Sequence, residues 1–337
     1  MKKRILTGIT TSGTPHLGNL TGAILPAIHA SQDPDVSSFL FLADYHSLIK
    51  NSDPDLTHNS SFEVAACWLA CGLDPNKVTF YRQSDVPYIF ELNWILGCLT
   101  SKGLLNRAHA YKAATSENET LKSADTDKGI NMGLFNYPIL MAADILMFNA
   151  DVVPVGQDQK QHIEMTRDIA NKFNHQYGEV FSIPEALIDE DTGILPGLDG
   201  QKMSKSYNNI IPVFADSKDL RKTVMKIKTN SLEPGEPKET NNCTIFSIYG
   251  AFSNKDEIEK LSKEYENGMS WGNAKEVLFE KLDSSLRNYK SEYDKIIKDR
   301  AYVEQVLLEG SIKALETSAP IIKKIRKVIG VKGFAQL

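Results

Sequence analysis

Short apolar runs alternate with segments of helical period over the first two hundred residues. Residues 4–9 and the continuous apolar run at 37–43 predict strands, the second of them buried on both faces as in a parallel sheet. The spacing predicts a helix over 17–30. Further strands are predicted at 78–81 and 152–155, and further helices at 55–71 and 138–148. Strands that alternate with helices predict an α/β fold, a doubly wound parallel sheet of Rossmann type.

The pattern changes in two places along the chain. Residues 84–136 form an insertion between the third and fourth strands, helical at 89–99 but nearly devoid of apolar residues at 115–131, which predicts a mobile loop. After residue 206 only helical periods remain, at 218–228, 254–267, 271–289, 293–308 and 311–328. We therefore predict a Rossmann-type domain of residues 1–207, which carries the insertion, and an all-helical domain of residues 208–337.

Composition limits the class of protein. The chain has 337 residues, 42% of them hydrophobic, which suffices for two domains with cores. No apolar run approaches the roughly 18 residues of a membrane span, and no signal-peptide pattern follows the basic start, so we expect a cytoplasmic protein with no membrane partner. The four cysteines include no C-x-x-C pair. This favours reduced thiols over a disulfide or a zinc site.

The net charge of −5 is unevenly distributed along the chain. Residues 1–207 carry a balance of −8, whereas residues 208–337 carry a balance of +3. A basic excess in the helical domain is compatible with a surface that faces RNA. The indication is weak, because helix surfaces are often rich in lysine for solubility alone.

Two short motifs suggest phosphate chemistry. Residues 15–19, Pro-His-Leu-Gly-Asn, lie where the first strand turns into the first helix, the usual place for backbone N–H groups to face a nucleotide. His16 can donate to a phosphate oxygen that gains charge in an in-line transition state, and Gly18 leaves space beside the backbone. Residues 202–206, Lys-Met-Ser-Lys-Ser, suit a clamp on a polyphosphate. Each motif alone is more often structural, but the two together favour nucleotide binding, and the missing G-x-G-x-x-G spacing counts against a dinucleotide.

Asp144 places one carboxylate inside an otherwise apolar helix. Burying an unpaired carboxylate is costly, so Asp144 needs a donor. The donor is either a neighbouring backbone group or arginine, or a ligand N–H or O–H that enters a pocket lined by Met141, Val153 and Val155. The residues alone leave both interpretations open.

Residues 153–162, Val-Pro-Val-Gly-Gln-Asp-Gln-Lys-Gln-His, leave a predicted strand through a glycine and begin a helix. Open α/β sheets bind their ligands at this edge. Asp158 can accept from a ribose hydroxyl or an α-ammonium, and Gln159 offers a zwitterion both a donor and an acceptor. The same cluster could also cap the helix, and the two roles can coexist.

At these residues the chain resembles a known family. Residues 15–19 and 202–206 resemble the two signatures of class I aminoacyl-tRNA synthetases, and residues 7–13, 138–147 and 153–162 resemble the bacterial tryptophanyl branch. The resemblance implies an enzyme that activates L-tryptophan with ATP and Mg²⁺ to tryptophanyl-adenylate and pyrophosphate. It then implies transfer of tryptophan to the 3′-terminal adenosine of tRNA(Trp). It also implies a homodimer formed around the insertion, a tRNA-binding helical domain, and no tightly bound protein metal site.

The resemblance assigns roles to individual residues. It implies that His16, Lys202 and Lys205 are catalytic. It implies an ATP site made of residues from both signatures and from the second block, namely Thr10, Thr11, Ser12, Gly18, Asn19, Gly156, Gln157, Asp158, Ile194, Lys202, Met203, Ser204, Lys205 and Ser206. The implied tryptophan site comprises Asp144 for the indole N–H, Tyr137 and Gln159 for the head group, Met141, Val153 and Val155 beside the ring, and His46 and Leu6 nearby.

The sequence departs from the family at two places, and three rival functions remain. Thr10-Thr11 stands where relatives often carry Gln-Pro, so a side-chain amide for ATP is missing, and the lysines near the loop 113–131 cannot be assigned to a phosphate.

A tyrosyl specificity is disfavoured only by the second block, residues 153–162. A small-molecule nucleotidyltransferase would not need the lysine motif together with a helical domain. A non-catalytic RNA-binding paralogue should have lost His16 or a signature lysine, and none is lost.

Overall fold

A five-stranded parallel sheet forms the centre of the protein. The structure is a computed structural model that describes residues 2–188, 195–331 and 333, with Ser206 described by its backbone alone. The strands are β1 (Lys3–Thr10), β2 (Val36–Ala43), β3 (Thr79–Arg82), β4 (Val152–Pro154) and β5 (Glu185–Leu187), in the order β3-β2-β1-β4-β5. All pairings are parallel, which confirms the predicted doubly wound α/β class. The short edge strand β5 was not predicted from the sequence.

Both faces of the sheet are buried, as the apolar run of β2 requires. Leu40 and Leu42 pack into one hydrophobic cluster, whereas Phe39 and Phe41 pack into the cluster on the opposite face. Successive side chains of a strand point to opposite faces, so one continuous apolar run supplies two cores. The helices on the two faces therefore fix the positions of the strand ends at which a ligand can bind.

Nine α-helices accompany the strands up to β5 within the described residues. They are α1 (Leu17–Asn19), α2 (Leu25–Ala30), α3 (Asp44–Ser47), α4 (Pro54–Ala70), α5 (Tyr88–Leu99), α6 (Lys102–Leu105), α7 (His109–Thr120), α8 (Met132–Met147) and α9 (Lys160–Tyr177). A π-helical turn, Leu20–Ile24, joins α1 to α2, so the predicted helix over 17–30 is continuous but not uniformly α-helical. The 3₁₀ turn Gln157–Gln159 leads from β4 into α9.

The insertion is more helical than its composition predicted. The predicted loop over 115–131 is wrong for its first part, because α7 continues through Thr120. The segment that follows is bonded back onto this helix. The Asn118 amide donates to the carbonyl oxygens of Thr126 (2.8 Å) and Lys128 (2.9 Å), and the Tyr111 hydroxyl donates to Asp127 (2.7 Å). Polar contacts of this kind replace the apolar packing that the sequence lacks.

The chain after residue 207 is helical, and no strand follows β5 in the part of the chain that the structure describes. The helices are α10 (Ser217–Val224), α11 (Thr244–Gly250), α12 (Lys255–Glu266), α13 (Trp271–Ile296) and α14 (Arg300–Val328). Leu278, Leu282 and Val303 share a hydrophobic cluster with Leu40 and Leu42 of the sheet. The predicted domain boundary at 207/208 therefore stays a prediction, and the two regions share apolar packing.

Gly310 explains why α14 lies directly against β3. A Cβ at this position would overlap the carbonyl oxygen of Phe80, so only glycine allows the helix backbone to approach the strand this closely. The sequence predicted helical periods over 293–308 and 311–328, on either side of this glycine. The structure has one helix through it, because packing against the strand compensates for the low helix propensity of glycine.

None of the helices in the described ranges combines the length and the apolarity that crossing a bilayer would require.

Candidate active site

The predicted nucleotide residues meet at the point where the strand order reverses. The chain crosses from β1 to β2 on one side and returns to β4 on the other side of β1. Open parallel sheets bind ligands in the crevice outside the carboxyl ends of such neighbouring strands. The turn after β1 carries Thr10, Ser12 and His16, and the turn after β4 carries Gly156 and Asp158.

The β1 turn is held by backbone contacts to the segment behind the lysine motif. The Leu17 N–H donates to the Ile211 carbonyl oxygen (3.0 Å), and the Val213 N–H donates to that of Pro15 (3.3 Å). The Asn19 side-chain oxygen accepts from the His16 N–H (3.1 Å). Thr10 and Ser12 are exposed, but Thr11 is fully buried. Thr11 therefore presents no accessible surface to the crevice.

His16 is an uncharged imidazole at neutral pH. Burial lowers its pKa to about 4, and the nearby Lys205 cation contributes in the same direction. Only 8% of the residue is exposed, and its Nδ1 has no hydrogen-bond partner among the described residues. A Cβ at position 18 would lie 3.1 Å from this ring, so Gly18 leaves the imidazole its space. A neutral imidazole can donate one hydrogen bond to a phosphate without adding a charge.

The β4 turn supplies a carboxylate that holds one of the two signature lysines. Lys202 Nζ donates to Asp158 Oδ2 at 2.9 Å, and both side chains are about half exposed. Partial burial, the largest single influence, opposes ionisation of Asp158, but the hydrogen bonds from Lys202 and Gln159 and the charge of Lys202 together outweigh it and leave the carboxyl pKa below its usual value. Gln157 and Gly156 are exposed beside them, and Gln159 donates to the same Asp158 oxygen at 3.3 Å. An incoming phosphate would compete with Asp158 for Lys202.

The second signature lysine binds the opposite turn. Lys205 Nζ donates to the carbonyl oxygens of Ser12 (3.0 Å) and Gly13 (2.6 Å). Burial lowers its pKa to about 8, although Glu63 acts in the opposite direction. Residues 202–205 therefore bridge the crevice, with one lysine on the β4 turn and the other on the β1 turn. A polyphosphate lying between the turns would meet both cations.

A buried asparagine that the sequence did not single out organises this loop. Asn209 is 2% exposed; its oxygen accepts from the Ser204 N–H (2.8 Å), and its amide donates to Asp199 Oδ1 (2.7 Å) and the Lys202 carbonyl oxygen (3.1 Å). A Cβ at position 197 would overlap the Asn209 side chain, which explains the glycine there. Its only sequence signal is its position three residues after the lysine motif.

Asp144 is 1% exposed and already has protein partners. His46 Nε2 lies 3.0 Å from Oδ2, and Gln83 Nε2 lies 2.9 and 3.0 Å from the two carboxylate oxygens. Burial raises the pKa of Asp144, and the bonds from His46 and Gln83 oppose that rise. Of the two alternatives for its donor, a protein donor is therefore present, but it comes from the side chains of His46 and Gln83 and not from a backbone group or an arginine. Gln83 was not singled out from the sequence. Its position directly after the predicted strand 78–81, where side chains reach the ligand-binding edge of a sheet, was a signal that could have identified it.

The other predicted tryptophan residues lie around this carboxylate. Leu6 and Val153 are buried in the cluster on the Asp144 face of the sheet, and Met141 and Val155 pack against that cluster. Tyr137 lies on the same helix as Asp144, with its ring edge-on to His46 (6.4 Å between centroids). Gln159 lies in the adjoining β4 turn. The structure thus brings together an apolar wall, a buried carboxylate and polar groups at one end.

Two predicted ATP residues cannot be placed in full, and one is enclosed by protein. Ile194 lies outside the described residues, and the side chain of Ser206 is not described. Met203 is 4% exposed and packs into the core below the loop. The Met203 side chain is therefore part of the core that supports the loop.

A cavity of about 880 Å³ lies beside the site, not at the two turns. It is bounded by residues from 44–62, from the end of β3 and from the start of α14. It shares Asp44 and Ser84 with the edge near Asp144, but neither signature lysine lines it. The cations and the strand-end backbone gather at the turns, which makes the turns, and not this cavity, the candidate nucleotide site.

The fold and this site define a nucleotide-dependent synthetase of class I: a doubly wound sheet whose first turn carries Pro-His-Leu-Gly and whose crevice is bridged by Lys-Met-Ser-Lys-Ser. The sequence model of the family "tRNA synthetases class I (W and Y)" matches residues 1–287. The chain belongs to this family.

Its similarity to individual members extends over the full length. It is 52% identical over 331 residues to the tryptophan–tRNA ligase of Neisseria meningitidis serogroup A, covering 98% of each chain. It is 53% identical over 337 residues to that of Pseudomonas putida, covering 99% of this chain and 75% of the relative. The crystal structure of tryptophanyl-tRNA synthetase from Campylobacter jejuni complexed with ADP and tryptophan is similar at 38% identity and a TM-score of 0.84, covering 97% of this chain and 99% of that one.

Proposed function

We propose that this protein is a tryptophan–tRNA ligase that activates L-tryptophan with ATP and transfers it to tRNA(Trp). The observation that carries the proposal is the likeness, over 98% of both chains, to a tryptophan–tRNA ligase. The arrangement of the site supports it. Two lysines bridge the nucleotide crevice, and a buried carboxylate lies beside an apolar wall.

The first step needs no nucleophile from the protein. The tryptophan carboxylate attacks the α-phosphorus of ATP, a P–O bond forms, and pyrophosphate leaves with the electron pair of the broken P–O bond. Catalysis then consists of positioning and of stabilising charge on the phosphates. Mg²⁺ enters as part of the ATP substrate complex.

Three side chains contribute directly to this charge stabilisation. Lys202 and Lys205 transfer their hydrogen bonds from Asp158 and the β1-turn carbonyl oxygens to the departing pyrophosphate. His16, neutral because it is buried, donates to a phosphate oxygen. The exposed Thr10, Ser12, Gln157 and Gly156 line the same crevice and complete the nucleotide contacts.

Tryptophan binds on the face of the sheet that carries Asp144, opposite to the face on which α4 packs. Asp144 accepts the indole N–H with the acceptor capacity that His46 and Gln83 leave free, since a carboxylate offers about four lone-pair sites. Leu6, Met141, Val153 and Val155 flank the ring, and Tyr137 and Gln159 hold the amino-acid head group.

The second step requires a surface for tRNA, which we place on the helical region 208–337. Lys222 and Lys226 are exposed on and just after α10, and Lys228 follows them. Among the described residues, no carboxylate lies within salt-bridge distance of these three lysines, although the charge of Lys228 contributes to lowering the pKa of Asp199; the neighbouring Arg221 is paired with Glu276 (2.7 Å). Unpaired cations on one surface are suited to phosphate contacts.

A homodimer formed through the insertion accounts for its exposed apolar side chains. Trp94 on α5 is 75% exposed, Leu121 is 72% exposed and Met132 is 66% exposed. Apolar side chains of this size on one segment mark an interaction surface. Sedimentation should show a dimer for the wild-type protein and a monomer for Trp94→Asp; a monomeric wild-type protein contradicts the proposal. The cytoplasmic location stays a prediction from the sequence.

Charging of tRNA tests the proposed function. Purified protein, ATP and a tRNA preparation that contains tRNA(Trp) should incorporate labelled tryptophan and not labelled tyrosine. Incorporation of tyrosine would assign the other specificity of the family. Incorporation of neither amino acid would overturn the proposal.

A further inference from the structure

His162 is a buried histidine whose one side-chain partner, within the described part of the chain, is Tyr137. It lies on the first turn of α9, is 3% exposed, and its Nε2 is 2.8 Å from the Tyr137 hydroxyl oxygen. The two rings meet edge-on, with centroids 5.1 Å apart. Its Nδ1 is buried and has no hydrogen-bond partner among the residues described.

This placement is unfavourable for stability alone. A buried ring nitrogen without a partner loses the hydration that it has in water, and an apolar side chain of similar size would avoid this loss. Burial lowers the pKa of His162, with a smaller contribution from His109, so the imidazole is neutral and carries one N–H. What the histidine provides, and an apolar residue would not, is the bond to Tyr137.

That bond fixes the direction of the Tyr137 hydroxyl. A phenol oxygen has one proton and two acceptor sites. If His162 donates, one lone pair of the oxygen stays free; if Tyr137 donates, both stay free. In either tautomer the oxygen keeps acceptor capacity, so the ligand group that it can always bind is a donor. Tryptophan has two such donors, the α-ammonium group and the indole N–H, and since the indole N–H is assigned to Asp144, the α-ammonium group remains for Tyr137.

We infer that His162 is a positioning residue that orients the Tyr137 hydroxyl toward the α-ammonium group of the amino-acid substrate. The inference rests on the proposed tryptophan-activating function. His162 itself touches no reacting atom; it acts through Tyr137. Its loss should weaken binding of the amino acid and leave the chemical step nearly unchanged.

Calorimetric titration with three ligands tests the inference. Tryptophan and tryptamine carry the ammonium group, whereas indole-3-propionate lacks it. His162→Leu removes the bond and keeps the bulk, and His162→Gln restores an amide near the position of Nε2. We expect His162→Leu to raise Kd about fivefold for tryptophan and tryptamine, the factor for one hydrogen bond, and to leave that of indole-3-propionate unchanged. His162→Gln should return both values toward those of the wild type.

Two further measurements separate positioning from a structural role. Because His162→Leu removes the unsatisfied Nδ1 together with the bond to the partly buried Tyr137 hydroxyl, two effects that oppose each other, its melting temperature should stay close to that of the wild-type protein. In a Tyr137→Phe background, His162→Leu should add no further loss, since the group that it positions is absent. Equal weakening of all three ligands, a full additional loss in the double variant, or unchanged Kd values would each overturn the inference. If the wild-type protein binds no tryptophan, the proposed function itself fails.

Discussion

Replacement of Asp144 by alanine should reduce the preference of the enzyme for tryptophan over phenylalanine. If the carboxylate accepts the indole N–H, its loss removes a hydrogen bond to a charged group, about 1.5–3 kcal/mol. That energy corresponds to a loss of about 10- to 150-fold in kcat/KM for tryptophan. Phenylalanine has no donor at that position, and its rejection depends on leaving empty the one acceptor site of Asp144 that the indole N–H would fill, so its activation should not fall.

The structure adds a stability effect that must be separated from this loss. Asp144 accepts from His46 and from Gln83, and its removal leaves the buried Gln83 amide and the partly buried His46 ring without this acceptor. Each orphaned donor costs about 1–3 kcal/mol of unfolding free energy. A lower melting temperature alone therefore does not identify a ligand contact.

Gln83→Leu is the matched control for this prediction. It removes a donor to the same carboxylate and should lower stability, but it leaves Asp144 available to the indole. The assay is ATP–pyrophosphate exchange with tryptophan and with phenylalanine, run beside thermal unfolding of both variants. The reasoning is refuted if Asp144→Ala keeps the wild-type preference, or if both variants lose it equally.

Three further predictions concern the lysine loop and the tRNA surface. Burial lowers the pKa of Lys205 to about 8, so kcat/KM for ATP should fall above that pH as the ammonium loses its proton. Lys205→Arg should remove this decline, because arginine stays protonated. Identical pH profiles for the wild-type protein and the variant would contradict the prediction. Asn209→Ala should lower the adenylation rate by about tenfold or more, because the lysines of the loop would no longer be held in position. The Kd of tryptophan measured by calorimetry should not change. A normal adenylation rate would show that Asn209 does not hold the loop. Replacing three lysines by glutamine, Lys222, Lys226 and Lys228, should reduce both the rate of tRNA charging and its dependence on salt concentration. The rate of ATP–pyrophosphate exchange should not change. Unchanged charging would show that the tRNA binds elsewhere.

The sequence predicted those parts of the fold and the site that are local. The apolar run of β2 specifies a doubly buried strand, and the motifs around His16 and Lys205 are contiguous, so residue type and order suffice to find them. The two motifs also meet in space, because the carboxyl end of β1 and the segment after β5 lie at one edge of the sheet. Backbone topology alone brings them together.

The parts that were missed depend on contacts between distant residues. Gln83, Asn209 and His162 are single polar residues whose importance comes from the groups that they touch, and none of them repeats with a helical or strand period. The single helix that runs through Gly310, where the sequence pattern predicted two separate helical periods, has a related reason. The missing side chain of this glycine allows contact with Phe80 on β3, a tertiary feature that propensity does not contain.

ATP–pyrophosphate exchange measured with each of the twenty amino acids tests the central claim most directly. It reports adenylate formation without tRNA, so it depends on the crevice between the β1 and β4 turns and on the pocket beside Asp144. The account predicts rapid exchange with tryptophan and at most weak exchange with tyrosine and phenylalanine. Exchange driven best by any other amino acid, or no exchange at all with tryptophan, would contradict it.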